Sequence, residues 1–217
     1  MGKSVYSIVL DDIVVERIDE IAYRSGTNRS GLINSILAER TGCITPEMRM
    51  REIFSRVEQA LEPRFLPQPQ SSDSVLLVKT ALRYRYKPTV RYTVELFRSF
   101  TGCVARLKVA LRSQSPGLTA LCTEFFEYWQ ELERRYRSEL FEGDAPCGAM
   151  PNGYTRFFFA AGNKILTDEE ISSGITAYIR SFDMALSACV EEENIRSAAA
   201  RCEALYLEYL TAATKIL

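Results

Sequence analysis

The chain of 217 residues contains no histidine. Histidine is the side chain that most often serves as a general base, as a metal ligand, or as the partner of a nucleophilic serine or cysteine. The glycines also form no phosphate-binding loop that ends in Lys-Ser or Lys-Thr. Carboxylates stand mainly beside basic residues at helical spacing, as Glu131 does with Arg135, and this pattern is typical of solvated ion pairs. We therefore expect no enzymatic activity, no metal site and no cofactor.

Paired cysteines and long apolar runs are absent as well. The six cysteines include no CxxC pair, and no apolar run reaches the length of a membrane-spanning helix. The N-terminus carries no charged stretch followed by an apolar leader. These features predict a cytoplasmic protein without a membrane contact, whose thiols are reduced and mostly buried. The cysteines are Cys43, Cys103, Cys122, Cys147, Cys189 and Cys202.

The chain has almost no net charge, with a formal value of −1. A near-neutral chain has no global attraction to nucleic acid, so any such affinity must come from local clusters of charge. The largest excess lies between Ser74 and Thr123, where nine basic residues, interleaved with tyrosines, accompany the single acid Glu95. The basic residues are Lys79, Arg83, Arg85, Lys87, Arg91, Arg98, Arg106, Lys108 and Arg112.

The N-terminal stretch has the pattern of one strand and two short helices. Ser4–Leu10 alternates polar and apolar residues and is rich in β-branched side chains, which predicts a strand. Asp11–Ser25 has apolar residues at helical spacing, and Gly26 is placed to end that helix. Asn28 is placed to cap a second helix, which Gly42 ends. Because such a short unit cannot bury a core alone, we expect a second copy of the chain to complete it.

Three short stretches in this unit, in this order, resemble ribbon-helix-helix proteins of the CopG, MetJ and Arc type. They are Leu10–Asp11–Asp12, Tyr23–Arg24–Ser25–Gly26 and Asn28–Arg29–Ser30–Gly31–Leu32–Ile33. The resemblance covers about the first forty residues. It implies that two strands pair antiparallel into a ribbon that enters the DNA major groove. It also implies that the free N–H groups at the start of the second helix hold a backbone phosphate, which the helix dipole favours.

The resemblance assigns roles to individual residues of the first unit. Tyr6, Ile8 and Leu10 would form the buried face of the ribbon. Two of the residues on its other face, Val5 and Val9, can contact only thymine methyl groups, whereas polar side chains there can bind base edges or phosphates. The DNA-binding residues that the resemblance implies are Lys3, Val5, Ser7, Val9, Asn28, Arg29 and Ser30.

The segment after the first unit reads as a helix, a connector and a hairpin. Thr45 is placed to cap a helix over Ile44–Ala60. Glu62–Ser74 contains three prolines and three serines, which indicates a linker or loop. Two alternating runs in Val75–Phe97 flank Lys87–Pro88–Thr89, which predicts a β-hairpin.

The basic side chains of this hairpin have two main interpretations. They can be the solvated face of a two-stranded sheet, where cations discourage pairing with other edges. They can also form an auxiliary nucleic-acid contact, and a surface for a partner protein or an acidic ligand is the third option. The residues of this surface are Lys79, Arg83, Arg85, Lys87 and Arg91.

The remainder of the chain is predicted to be helical, apart from the turn-rich stretch Asp144–Asn163. Thr167 and Glu170 have capping-box spacing at the start of one helix. The aromatic residues of the helix before it are predicted to be core. The predicted helices cover Glu95–Ser113, Thr119–Phe141, Thr167 toward Val190, and the region near Glu193–Leu217.

The sequence therefore predicts a mainly α fold with a small β component. A ribbon-helix-helix dimerisation unit would occupy residues 1–44, and a connecting helix with a Pro/Ser-rich linker would occupy residues 45–74. An α+β domain with a β-hairpin and about four helices would occupy residues 75–217.

The function implied by the resemblance is that of a homodimeric, sequence-specific DNA-binding protein, most simply a transcriptional regulator. Its partners would be double-stranded DNA and a second copy of the chain, in a homodimer or a higher even oligomer. The C-terminal domain would extend dimerisation, sense an unknown effector or recruit a protein. One alternative is a plasmid-type copy-control, partition or DNA-transfer accessory protein. The other is a protein-interaction scaffold that uses the ribbon unit only for dimerisation.

Overall fold

The computed structural model describes residues 5–69, 72–98, 102–142, 145–212 and 216, with Asn163 described by its backbone alone. The chain divides into two units, Met1–Met48 and Arg49–Leu217. Most of the predicted connecting segment, residues 45–74, therefore lies in the second unit. The reason is that this segment contributes buried side chains to the core of that unit.

Among its described residues, the first unit contains two complete helices. Helix α1 spans Asp12–Arg24 and helix α2 spans Arg29–Thr41. The Asn28 side chain accepts a hydrogen bond from the N–H of Gly31 at 2.8 Å, so the predicted cap of α2 is confirmed. Gly42 follows α2 with a φ of 69°, a left-handed conformation that glycine adopts without steric cost.

Residues 5–10 form no strand in the single chain, and all of them are exposed. The strand predicted over Ser4–Leu10 is therefore not formed within one copy, and residues 1–4 lie outside the described residues. A strand exists only through hydrogen bonds to a neighbouring strand. Within the described residues, the first unit offers this segment no such neighbour.

The second unit contains an antiparallel sheet of six strands in the order β1-β2-β3-β4-β6-β5. The strands are β1 Leu66–Gln68, β2 Val75–Ala81, β3 Thr89–Leu96, β4 Cys103–Arg112, β5 Cys147–Met150 and β6 Gly153–Phe159. The remaining helices of the chain are α3 Pro46–Leu61, α4 Pro116–Tyr136, α5 Asp168–Glu192 and α6 Ile195–Ala212. Short 3₁₀ turns lie at Ser138–Phe141 and Ala161–Asn163. The predicted class, mainly α with a small β component, is confirmed.

The hairpin predicted within Val75–Phe97 is confirmed as β2 and β3, which pair from Val75 with Glu95 to Ala81 with Thr89. Its loop is longer than the sequence indicated, because β2 ends at Ala81 and the chain turns over residues 82–88. The capping box of Thr167 and Glu170 at the start of α5 is also confirmed.

The helix predicted over Glu95–Ser113 is wrong, because most of this stretch is strand β4. Val104, Leu107 and Leu111 have a spacing that fits a helix. Leu107, Val109 and Leu111 also have the period of two that places every second side chain on one face of a strand. Strand β4 pairs with β3 on one side and with β6 on the other. The turn-rich stretch before α5 likewise contains the hairpin of β5 and β6.

The core of the second unit lies between helices α3 to α6 and one face of the sheet. Alternate residues of β3 are buried, and the residues between them are only half-buried. One face of the sheet is therefore covered by helices, and the other face is open. Phe182 of α5 lies at the centre of the core, with its ring 5.3 Å from the rings of Phe125 and Trp129. The predicted aromatic core is confirmed.

A buried ion pair joins α4 to β6. The Nε of Arg156 donates to Oε2 of Glu133 at 3.0 Å, and neither side chain is more than 1% exposed. The hydroxyl groups of Tyr154 and Tyr178 also donate to Glu133. The indole N–H of Trp129 donates to the Tyr178 hydroxyl at 3.0 Å. Burial and the charge of Glu133 raise the pKa of Tyr178, so this hydroxyl remains a donor.

Candidate nucleic-acid interface

The start of α2 is a capped helix end with free backbone N–H groups. The N–H groups of Arg29 and Ser30 occupy the first two helical positions, where no intrahelical partner exists. Gly31 follows them, and a Cβ added there would lie 2.9 Å from Oγ1 of Thr27 and 3.3 Å from Oδ1 of Asn28. Gly31 therefore keeps the capping side chain in place, a role that sequence reasoning missed although the glycine stands in the first turn.

Arg29 already has a partner on α1. Its Nε donates to Oδ1 of Asp19 at 2.7 Å, and its second donor binds the other carboxylate oxygen. Both side chains are about half exposed, and the hydrogen bond from Arg29 lowers the pKa of Asp19. Sequence reasoning did not find Asp19, because the two residues are ten positions apart on different helices. The fork geometry that holds a carboxylate also fits a phosphate.

The structure gathers only part of the predicted DNA-binding set at one place. Asn28, Arg29 and Ser30 stand together at the start of α2, and Ser30 is exposed. Val5, Ser7 and Val9 are exposed on the unpaired N-terminal segment, and the two valines are 98% and 100% exposed. Lys3 lies outside the described residues.

Apolar side chains of the first unit remain exposed in the single chain. Tyr6 and Ile8, predicted for the buried face of the ribbon, are 84% and 57% exposed. Among the described residues of this unit, the buried apolar side chains are those of Ala22 and Ala38. The further exposed large apolar residues of α1 and α2 are Ile13, Val14, Ile21, Tyr23, Ile36 and Leu37. One copy of the chain thus leaves this unit without a core of its own.

The predicted auxiliary contact divides into two groups in the structure. Lys79 and Arg91 are directly opposite each other on β2 and β3, on the open face of the sheet. Arg83, Arg85 and Lys87 are exposed in the loop over residues 82–88.

The loop presents an exposed aromatic ring among these charges. Tyr86 is fully exposed, and Tyr86 and Lys87 have φ values of 61° and 44°. Left-handed conformations of this kind are uncommon for residues other than glycine and asparagine. Open depressions of about 670 and 790 Å³ flank the loop, and both are lined by Tyr84 and Arg85. The Nη1 of Arg83 is 3.9 Å from a carboxylate oxygen of Glu191.

Strand β4 adds further cations to the open face of the sheet. Lys108 and Arg112 are exposed, and Arg106 binds Glu95 across the β3–β4 pair. The sequence indicated the local excess of charge but not this placement, because the stretch was predicted to be a helix. We refer to the set as the basic sheet face, formed by Lys79, Arg91, Arg106, Lys108 and Arg112.

The described residues also bear on metal sites and on membrane insertion. They contain no group of three or more histidine, cysteine, aspartate or glutamate residues that could hold a metal ion. None of the helices in the described ranges is both long and apolar enough to cross a membrane. In these ranges the cysteines are free thiols, and Cys122, Cys147, Cys189 and Cys202 are buried as predicted.

Comparison of the chain with models of known protein families, with curated proteins and with solved structures finds no match.

Proposed function

We propose that this chain is a homodimeric protein that binds double-stranded DNA through its first unit, most simply as a transcriptional regulator in the cytoplasm. Two observations carry the proposal: the alternating apolar segment over residues 5–10 is exposed, and helix α2 begins with the Asn28 cap followed by an arginine and a serine. Tyr6, Ile8 and Leu10 alternate with Val5, Ser7 and Val9, which would face the DNA groove in the proposed ribbon. Tyr6, Ile8 and Leu10 are all exposed in one copy.

A second copy of the chain gives these side chains a place to be buried. Antiparallel pairing of residues 4–10 of two copies forms a two-stranded ribbon with the three apolar residues of each copy on the same face. Ile8 is 57% exposed, so its complete burial contributes on the order of 1 kcal/mol per copy. The exposed apolar residues of α1 and α2 contribute further to the same interface.

The start of α2 supplies the contact to the DNA backbone. The N–H groups of Arg29 and Ser30 and the positive end of the helix dipole attract a phosphate. The Arg29 side chain exchanges its pairing with Asp19 for the same phosphate. Such contacts position the protein on DNA without reading sequence, which leaves readout to Lys3 and Ser7 and to contacts of Val5 and Val9 with methyl groups.

The experiment that tests the proposal measures binding of the full-length protein to sheared DNA from its own genome, at about 50 mM and about 200 mM salt. Arg29→Ala should weaken binding to all sequences and reduce the salt slope of log K by about 0.9 for each phosphate that the arginine neutralises. Arg40→Ala is the matched control, because Arg40 is an exposed arginine at the other end of α2.

Asp19→Asn separates binding of phosphate from a structural role of Arg29. If Arg29 binds phosphate, Asp19→Asn releases it and affinity stays the same or rises. If Arg29 serves only to hold α1 to α2, both substitutions weaken binding alike. Equal weakening in Arg29→Ala and Asp19→Asn, or no binding at either salt concentration, would contradict the proposal.

A protein-interaction scaffold is the second candidate function, and the two groove-facing valines favour it. Val5 and Val9 offer no hydrogen bond to a base, although they are almost fully exposed. In that case the first unit serves only to dimerise the chain, and binding to its partner responds weakly to salt. A steep fall of affinity with salt therefore favours DNA over the scaffold.

The second unit is proposed to extend dimerisation, to bind an effector or to recruit a protein. A plasmid-type copy-control, partition or DNA-transfer accessory protein has the same DNA chemistry as a regulator. Recovery of discrete genomic fragments favours a regulator, whereas weak and uniform binding favours the accessory role.

A further inference from the structure

We propose that the basic sheet face of the second unit binds single-stranded nucleic acid. The open side of the sheet carries five cations, and Glu95 is the one acid on the outward positions of β2, β3, β4 and β6. The cations lie on three adjacent strands of one rigid sheet, so their positions relative to one another are set by the register of the strands.

The strand register places like charges beside each other. Lys79 of β2 is directly opposite Arg91 of β3. Like charges directly opposite each other destabilise a sheet. Within the described part of the chain, Lys79, Arg91, Lys108 and Arg112 form no ion pair. A polyanion that covers the face would relieve this repulsion.

The cations follow a track along the strands. Successive outward residues of one strand are about 7 Å apart, so Arg106, Lys108 and Arg112 of β4 span about 20 Å. Lys79 and Arg91 lie beside this track, because Arg91 is opposite Ala110 of β4. A backbone of several phosphates can therefore contact the face at successive positions.

Aromatic rings lie at one end of the track. Phe157 is opposite Arg106 on β6, and the guanidinium of Arg106 lies 6.0 Å from the centre of its ring. Phe157 and Phe159 are both half-buried on the outward positions of β6. An aromatic ring next to cations provides a stacking surface for a base whose phosphate is bound nearby. Bases stacked within a duplex cannot reach such a ring.

The dimensions of the sheet also favour a single strand. Six strands about 4.8 Å apart make a surface about 24 Å wide, whereas the major groove of B-DNA is about 12 Å wide. The sheet face therefore cannot enter a duplex groove, and its aromatic end would contact only the outer backbone. A flexible single strand can lie along the track with its bases turned toward the sheet.

This inference does not depend on the proposed function of the first unit. The probes are fluorescent oligo-dU and oligo-U of about 15 nucleotides, within the usual site size for such surfaces. Their binding to the full-length protein is measured by fluorescence anisotropy at several salt concentrations. Binding of either oligonucleotide supports the proposal, and the ratio of the two affinities reports a contact with the 2′-hydroxyl.

Lys108→Gln/Arg112→Gln should lower the affinity about tenfold and reduce the salt slope of log K by about 1.4, since each phosphate contact on a single strand contributes about 0.7. Arg196→Gln is the matched control, because Arg196 is exposed on α6, in the helical layer of the unit. An equal decrease in the control, or an unchanged slope in the double variant, would overturn the proposal.

Lys79→Gln distinguishes binding from a structural effect. Removal of one member of the like-charge pair should raise the urea midpoint of the second unit while it weakens oligonucleotide binding. A lower midpoint that accompanies weaker binding would count against the proposal.

Two further measurements exclude other sources of affinity. If Arg29→Ala abolishes oligonucleotide binding, the strand is held by the first unit and the proposal is wrong. Poly-glutamate of matched length is the acidic competitor. If it displaces the oligonucleotide at equal charge concentration, the face binds acidic polypeptides equally well and the choice of nucleic acid is wrong.

Discussion

Removal of the buried charge at Glu133 should strongly destabilise the second unit. Glu133→Gln keeps the size of the side chain and a carbonyl oxygen that can accept from Tyr178. It leaves Arg156, whose side chain is 1% exposed, without a counter-charge. Removal of one partner of a buried ion pair costs about 3–5 kcal/mol.

The single tryptophan of the chain makes this destabilisation measurable. Trp129 belongs to the second unit and donates to Tyr178, so its fluorescence reports the unfolding of this unit alone. With a urea dependence of about 2 kcal/mol per molar, a destabilisation of about 4 kcal/mol lowers the unfolding midpoint by about 2 M. The measurement is a urea titration of the full-length variant.

Glu131→Gln is the matched control for this substitution. Glu131 lies two residues away on the same helix, and its pairing with Arg134 is exposed. An exposed pair of this kind contributes about 0–1 kcal/mol. In Glu133→Gln/Arg156→Gln both charges are removed, so its destabilisation should be smaller than the sum of the two single effects. A midpoint in Glu133→Gln that matches the control would refute the reasoning.

Two other predictions concern the first unit and the thiols. Ile8→Asp should raise the dissociation constant of the proposed homodimer more than about tenfold in sedimentation velocity, because it removes apolar burial from the ribbon of both copies. The control Val9→Asp, on the other face of the proposed ribbon, should leave this constant unchanged, and an unchanged constant in Ile8→Asp would refute the ribbon. Burial raises the pKa of Cys122, Cys147 and Cys189 to about 12 and that of Cys202 to about 11. A thiol reagent near neutral pH should therefore react much more slowly with these four buried cysteines than with exposed Cys43, and Cys43→Ser should remove the most rapid phase. Rapid reaction of all six thiols in the native protein would contradict this burial.

Local signals in the sequence located most of the helix ends. Helix α2 begins after Asn28 and ends before Gly42, as predicted. Helix α5 begins with the predicted capping box of Thr167 and Glu170. Caps depend on groups within four residues of each other, so the sequence contains the whole interaction. The alternation of β2 and β3 was visible for the same reason.

Strand β4 shows where local signals fail. Its apolar spacing fits both a helix and a strand, and the choice depends on β3 and β6, which pair with its two edges. Of these two neighbours, β6 lies more than forty residues further along the chain. Since the period of the side chains did not decide between the two structures, the tertiary hydrogen bonds did.

The sequence by itself determined the helix caps, the β2–β3 hairpin, the aromatic core and the excess of positive charge between Ser74 and Thr123, because these depend on neighbours in the chain or on composition. Only the tertiary structure decided that Arg29 pairs with Asp19, that Glu133 pairs with Arg156, and that cations from three strands share the open face of one sheet. Each of these arrangements joins separate elements. The paired residues are ten or more positions apart in the sequence. The packing of each unit therefore brings them together, and no local spacing rule could have predicted the pairs.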